Sequence, residues 1–82
     1  MIVALDPFLV EILVDPEDKL ALWYFEDEDA LYNPRLHRRY EIRDDIPVML
    51  IEEGVIVDDA EHARYSSKAA SGVIETGSPR TL

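Results

Sequence analysis

The stretch Tyr40-Glu41-Ile42-Arg43-Asp44-Asp45-Ile46-Pro47-Val48-Met49-Leu50 constrains the chain more than any other. Tyr40 and Ile42 alternate with Glu41 and Arg43, the two-residue period of a half-buried strand. Asp44-Asp45 predicts a turn, because short carboxylates bond to nearby backbone N–H groups. Ile46 to Leu50 is then almost wholly apolar, and Pro47 lacks the N–H that a central strand requires. The pattern is a strand, a kink and an apolar edge segment that must pack on something.

The flanking sequence supplies candidates for that packing. Asp6-Pro7 reads as a helix start, with Asp as N-cap and Pro at the first helical position. Phe8, Leu9, Ile12 and Leu13 follow at helical spacing, so a short N-terminal helix is expected to lie on a sheet. Val14-Asp15-Pro16-Glu17-Asp18-Lys19 ends it. Leu20 to Phe25 reads as an aromatic strand, Glu26 to Asp29 as an acidic loop, and Ala30 to Tyr32 as the returning strand of a hairpin. Asn33-Pro34-Arg35-Leu36 is the next turn, and His37 to Arg43 is the third strand. Val55 to Val57 suggests a short further strand, and Asp58-Asp59 a cap for a brief helix through Tyr65. From Ser66 the chain is rich in Ser, Gly and Ala, so residues 1–65 are expected to form one small domain and 66–82 a disordered tail.

With 82 residues, 18 acidic and 8 basic, the formal net charge is -10. Such a charge opposes independent binding to phosphate backbones or anionic membranes. A domain of this size buries only roughly 60–65% of its unfolded surface. The chain has no cysteine, which excludes disulfides and thiolate-based zinc sites. No apolar run approaches the ~20 residues of a membrane span. The start lacks the basic residues of a signal peptide. A cytoplasmic protein is expected.

The turns Asp15-Pro16-Glu17-Asp18 and Asn33-Pro34-Arg35-Leu36 share an X-Pro-x-x form and flank the hairpin. With cysteine at 15, 18, 33 and 36 they would be the two knuckles of a zinc ribbon. At this point the sequence resembles a known family. Leu9-Val10-Glu11-Ile12-Leu13-Val14-Asp15-Pro16, followed by Tyr40-x-Ile42-Arg43-Asp44-x-Ile46-Pro47-Val48-Met49-Leu50, looks like the short bacterial branch of the small tRNA-methyltransferase activator subunits. Those proteins read L-L-E-I-L-x-C-P-x-C and Y-P-I-R-D-G-I-P-V-M-L. The resemblance covers roughly residues 5–52. It departs at all four cysteine positions, here Asp15, Asp18, Asn33 and Leu36, and at Glu41 and Asp45. It implies a zinc-ribbon-like fold without zinc, and a non-catalytic subunit that stabilises or activates a methyltransferase acting on tRNA, rRNA or a translation factor. Structural zinc contributes on the order of 10 kcal/mol to such modules. Buried Phe8, Trp23, Tyr24, Phe25, Tyr32 and Tyr40 are expected to replace it.

The expectation is therefore a small α+β domain, with a short N-terminal helix on a three-stranded antiparallel sheet, no metal and no cofactor. Leu9, Ile12, Ile46, Pro47, Val48 and Met49 are the expected contacts with a methyltransferase or other protein partner. Two further readings stand beside it. Arg35, Arg38, Arg39 and Arg43 are the candidate residues for nucleic-acid binding, although alternation splits them between two faces. A weak homodimer could seal the same apolar edge. Glu26 to Asp29 and the Asp15–Asp18 turn read as solvated carboxylates rather than a catalytic pair. His37 and His62 read as single surface histidines.

Overall fold

A computed structural model describes residue 10 and residues 12–77. Strands β1 (Trp23–Phe25) and β2 (Ala30–Asn33) form a hairpin across a 3-10 turn at Glu26–Glu28. Asp29 closes that turn in the left-handed region, at φ 49°. Strand β3 (Arg38–Arg43) pairs antiparallel with β2, placing Tyr40 opposite Leu31 and Arg39 opposite Tyr32. Asp44 and Asp45 both have positive φ, 49° and 64°. That two-residue turn carries the right-handed twist a tight hairpin needs. It delivers β4 (Ile46–Pro47), paired with β3 through Arg43 opposite Ile46.

A second 3-10 turn, Ile51–Glu53, leads to β5 (Val55–Ile56). This strand pairs with the start of β3, Arg39 opposite Val55. Gly54 permits the crossing: a Cβ there would lie 2.5 Å from Arg38 Cδ and 2.9 Å from Tyr40 Cε1. Helix α1 (Asp59–Ala70) follows, its N-terminus capped by the Asp58 carboxylate, which accepts from Glu61 N–H. Strand β6 (Ile74–Glu75) then pairs with β1. The sheet order is β4-β3-β2-β1-β6, with β5 also on β3.

Strand alternation explains why both sheet faces are covered. On one face Leu22, Tyr24, Leu31, Tyr40 and Ile42 form a cluster, with Val10, Leu13 and Met49 packed on it. On the other, Phe25 and Tyr32 pack with Tyr65 of α1, supported by Trp23, Val57, Ala69 and Val73. The Tyr65 ring stacks on Tyr32 at 4.5 Å and on Phe25 at 5.0 Å. All four residues of β2, at the centre of the sheet, are consequently buried.

Two expectations are corrected, and a third is extended. The sheet has six strands rather than three, because β4, β5 and β6 each add two residues to its edges. The helix that covers the second face is C-terminal. Of the expected N-terminal helix, Val10 and Ile12 are helical, while Phe8 and Leu9 lie outside the described residues. The disordered tail expected over 66–82 does not hold for residues 66–77. There α1 continues to Ala70, and Thr76 is fully buried, exchanging hydrogen bonds with Leu22 through its N–H and its hydroxyl, each 2.9 Å. A few well-placed residues, Tyr65, Ala69, Val73 and Thr76, suffice to anchor a segment whose average composition is polar. Residues 78–82 lie outside the described residues.

Candidate functional site

Strands β4 and β5 lie one after the other along the outer edge of β3, β4 on its C-terminal end and β5 on its N-terminal end, and neither has a second strand partner among the described residues. Their side chains remain apolar where the sheet ends. Ile46 is 67% exposed and Ile56 60% exposed; Leu50, Ile51 and Val55 are also exposed. Ile46 and Val55 stand opposite Arg43 and Arg39, so they share one face, while Ile56 opposite Arg38 is on the other. The edge is therefore apolar on both sides. A hollow of about 200 Å³ on the first face is lined by Arg39, Glu41, Arg43, Glu53 and Val55.

The expected contact residues divide. Ile46 is exposed on this edge, and Ile12 is exposed on the N-terminal segment. Pro47 and Val48 are half-buried, and Leu9 lies outside the described residues. Met49 packs on the cluster of Leu31 and Tyr40, which makes it part of the core. Leu50, at the end of the apolar segment marked in the sequence, is exposed as that reading expects, whereas sequence reasoning missed Val55 and Ile56 as surface residues. The Val55–Val57 run was legible as a strand, but nothing in it says that β5 would be an edge.

The two X-Pro-x-x turns meet. Asn33 and Asp15 are fully buried, and Asn33 Nδ2 donates to Asp15 Oδ2 at 2.9 Å and to Asp18 Oδ2 at 3.1 Å. In each turn the first side chain accepts a backbone N–H two residues on: Glu17 to Asp15, and Arg35 to Asn33. Each turn is followed by a residue at positive φ, Lys19 at 60° and His37 at 55°. Arg35 Nε donates to Asp18 at 2.7 Å and holds that carboxyl down at about 2. Leu36 offers no donor atom. Among the described residues no group of three or more His, Cys, Asp or Glu side chains is placed to hold a metal ion.

The arginines are spread over both faces, and most are engaged within the chain. Arg35 pairs with Asp18, Arg38 with Glu17, and Arg43 with Glu41 and Glu53. Arg39 has no ion pair among the described residues and lies between Tyr32 and Val55. The acidic loop is engaged too: Glu28 binds Arg64 and Lys68, and its carboxyl is lowered to about 2, chiefly by Arg64. His37 and His62 are brought together, contrary to their reading as single surface residues. Their rings stack at 3.9 Å, 6° apart, and His62 Nδ1 lies 2.6 Å from the Tyr32 hydroxyl. Burial pushes that phenol up to about 12. The link spans 25 residues between the third turn and α1, a separation that no local pattern reveals. No helix of the described residues is long and apolar enough to cross a membrane.

Comparison with known proteins places the chain. It is 41% identical over 58 residues to the UPF0434 protein of Gluconobacter oxydans 621H, covering 71% of this chain and 98% of that protein. The chain belongs to the UPF0434 family. A UPF0434 protein of Paracidovorax citrulli is 40% identical over 57 residues, covering 70% of this chain and 95% of its own. One of Rhizobium etli CIAT 652 is 39% identical over 54 residues. The solution NMR structure of an uncharacterized BCR protein superimposes with a TM-score of 0.58 and 48% identity, over 66% of this chain and 88% of that one. No family model matches. This UPF0434 chain carries residues that the Gluconobacter protein lacks, since the match nearly exhausts that protein but not this one.

Proposed function

We propose that this UPF0434 protein is a non-catalytic interaction subunit that stabilises or activates a methyltransferase of the translation machinery. The observation that carries the reading is the exposed apolar edge of β4 and β5, with Ile46 and Ile56 at 67% and 60% exposure. Unpaired strand edges with apolar side chains are ready-made surfaces for another chain. The methyltransferase enters through the resemblance of residues 9–16 and 40–50 to the activator subunits.

The same reading gives the fold a zinc-ribbon-like character without zinc. The residues at 15, 18, 33 and 36 do not suit a zinc ion, because they offer neither thiolate nor imidazole and Leu36 offers nothing. Hydrogen bonds among Asp15, Asp18, Asn33 and Arg35 tie the two turns together in its place. Binding through the edge adds stability to the enzyme's folded state by mass action.

The test is affinity capture from cell extract with the native chain and with an Ile46→Asp, Ile56→Asp variant. These positions are exposed, so the variant keeps the fold; Met49, packed on the core, is unsuitable. A methyltransferase retained by the native chain and lost by the variant is expected. Failure to retain any methyltransferase refutes the enzyme partner, and equal retention by the variant refutes the edge.

A further inference from the structure

The apolar edge is bordered by charges that the fold does not use. Asp44 and Asp45 form the turn into β4, Glu52 lies in the turn between β4 and β5, and Asp59 opens α1 just after β5. All four are exposed. None has an ion pair among the described residues, whereas Arg35, Arg38, Arg43, Arg64 and Lys68 are each paired with a carboxylate. Arg39 and Arg43 line the hollow on this edge, but Glu41 and Glu53 line it with them, so Asp44, Asp45, Glu52 and Asp59 leave the border with a net negative charge.

We propose that this edge is the docking surface for a basic protein, one that presents apolar side chains framed by Lys or Arg. The inference rests on the reading of the chain as an interaction subunit and names the chemistry of its partner. The border decides between occupants. A second copy would meet through the same patch on both chains. That would set Asp44, Asp45 and Glu52 near the like charges of the other copy, a juxtaposition that opposes association. RNA would bring phosphates against the same carboxylates. A basic, partly apolar protein surface satisfies both the carboxylates and the exposed isoleucines. Attraction of this kind acts mainly on the encounter rate, raising it by roughly 10–10³ at low salt.

The test uses the full chain and two synthetic peptides, Lys-Val-Lys-Val-Lys-Val and Glu-Val-Glu-Val-Glu-Val. Methyl NMR follows Ile46, Val55 and Ile56 at about 20 mM and about 300 mM NaCl, across which the Debye length shrinks severalfold. The lysine peptide is expected to shift these methyls, with affinity falling about tenfold or more at the higher salt. The glutamate peptide is expected to leave them unmoved. An Asp44→Asn, Asp45→Asn, Glu52→Gln variant keeps the apolar residues, and asparagine tolerates the positive φ at 44 and 45. It is expected to lose most of the salt dependence.

Equal binding of the two peptides, no response to the lysine peptide, or unchanged salt dependence in the variant overturns the proposal. So does self-association of the native chain through the same methyls. The two readings fail separately. A methyltransferase captured through the edge, with no salt dependence, overturns the basic partner alone. Lysine-peptide binding without any methyltransferase captured overturns the enzyme alone.

Discussion

Replacing Tyr65 tests whether α1 is an integral layer of the domain. Tyr65 is the helix's buried residue, fully inaccessible and stacked on Tyr32 and Phe25. Truncating a buried aromatic to alanine costs about 3–5 kcal/mol, from lost transfer free energy and the cavity left behind. A domain of this length has a total stability of about 4–12 kcal/mol. Tyr65→Ala is therefore expected to remove a large part of it. With a urea slope near 1 kcal/mol per M, the midpoint should fall by about 3 M or more, or the chain should be unfolded in buffer. Tyr65→Phe makes the contrast. The Tyr65 hydroxyl is buried with no hydrogen-bond partner among the described residues. Burying such a group costs about 1–3 kcal/mol, so its removal should leave stability within about 1 kcal/mol or raise it. Urea unfolding followed by circular dichroism, with Trp23 fluorescence as a second probe, gives both values. A Tyr65→Ala midpoint within about 0.5 M of the native chain would refute the packing of α1 on the sheet, since the slope converts that to well under the cost of a buried ring.

Three further outcomes follow from particular contacts. Asp45→Gly should stabilise the chain by about 0.5 kcal/mol, because glycine adopts the positive φ of the β3–β4 turn without the Cβ penalty; a loss measured by urea unfolding would contradict the turn geometry. Gly54→Ala should destabilise by about 1–3 kcal/mol, the usual cost of overpacking, because its Cβ would press on Arg38 and Tyr40; an unchanged melting temperature would show that the crossing is looser than the structure has it. Asp18 and Glu28 are held at about 2, below 3.8 and 4.5, so the folded state binds fewer protons than the unfolded state there. Their contribution is full above the ordinary carboxylate range and is lost as pH falls from about 4.5 towards 2. Glu28→Gln should flatten part of that fall in urea midpoints, and an identical pH profile would contradict the Glu28–Arg64 assignment.

The local elements were legible because their signals are local. The Tyr40–Arg43 alternation gave β3, the carboxylate pair gave the β3–β4 turn, and Asp58-Asp59 gave the start of α1. What escaped was set by long-range pairing. Ile74–Glu75 becomes a strand only because β1 offers an edge, and Ser66 to Ala70 stays helical because Tyr65 and Ala69 lie over Phe25 and Tyr32. Average composition misjudged that segment. The candidate site was half legible: Ile46 was singled out for contact, but Met49 turned inward and Val55 and Ile56 turned out to be edge residues. The stacked His37 and His62 meet through the fold alone. By contrast, the shared form of the 15–18 and 33–36 turns was plain in the sequence, and the structure joins them through Asn33.

The most direct measurement is the thermal unfolding of a methyltransferase captured as proposed, purified apart and titrated with this chain. A subunit that binds only the folded enzyme stabilises it by about 2.7 kcal/mol at a hundredfold excess over Kd. A melting temperature that climbs with chain concentration, and does not climb with the Ile46→Asp, Ile56→Asp variant, is the predicted result. A melting temperature that the native chain leaves unchanged at saturating concentration would contradict the account.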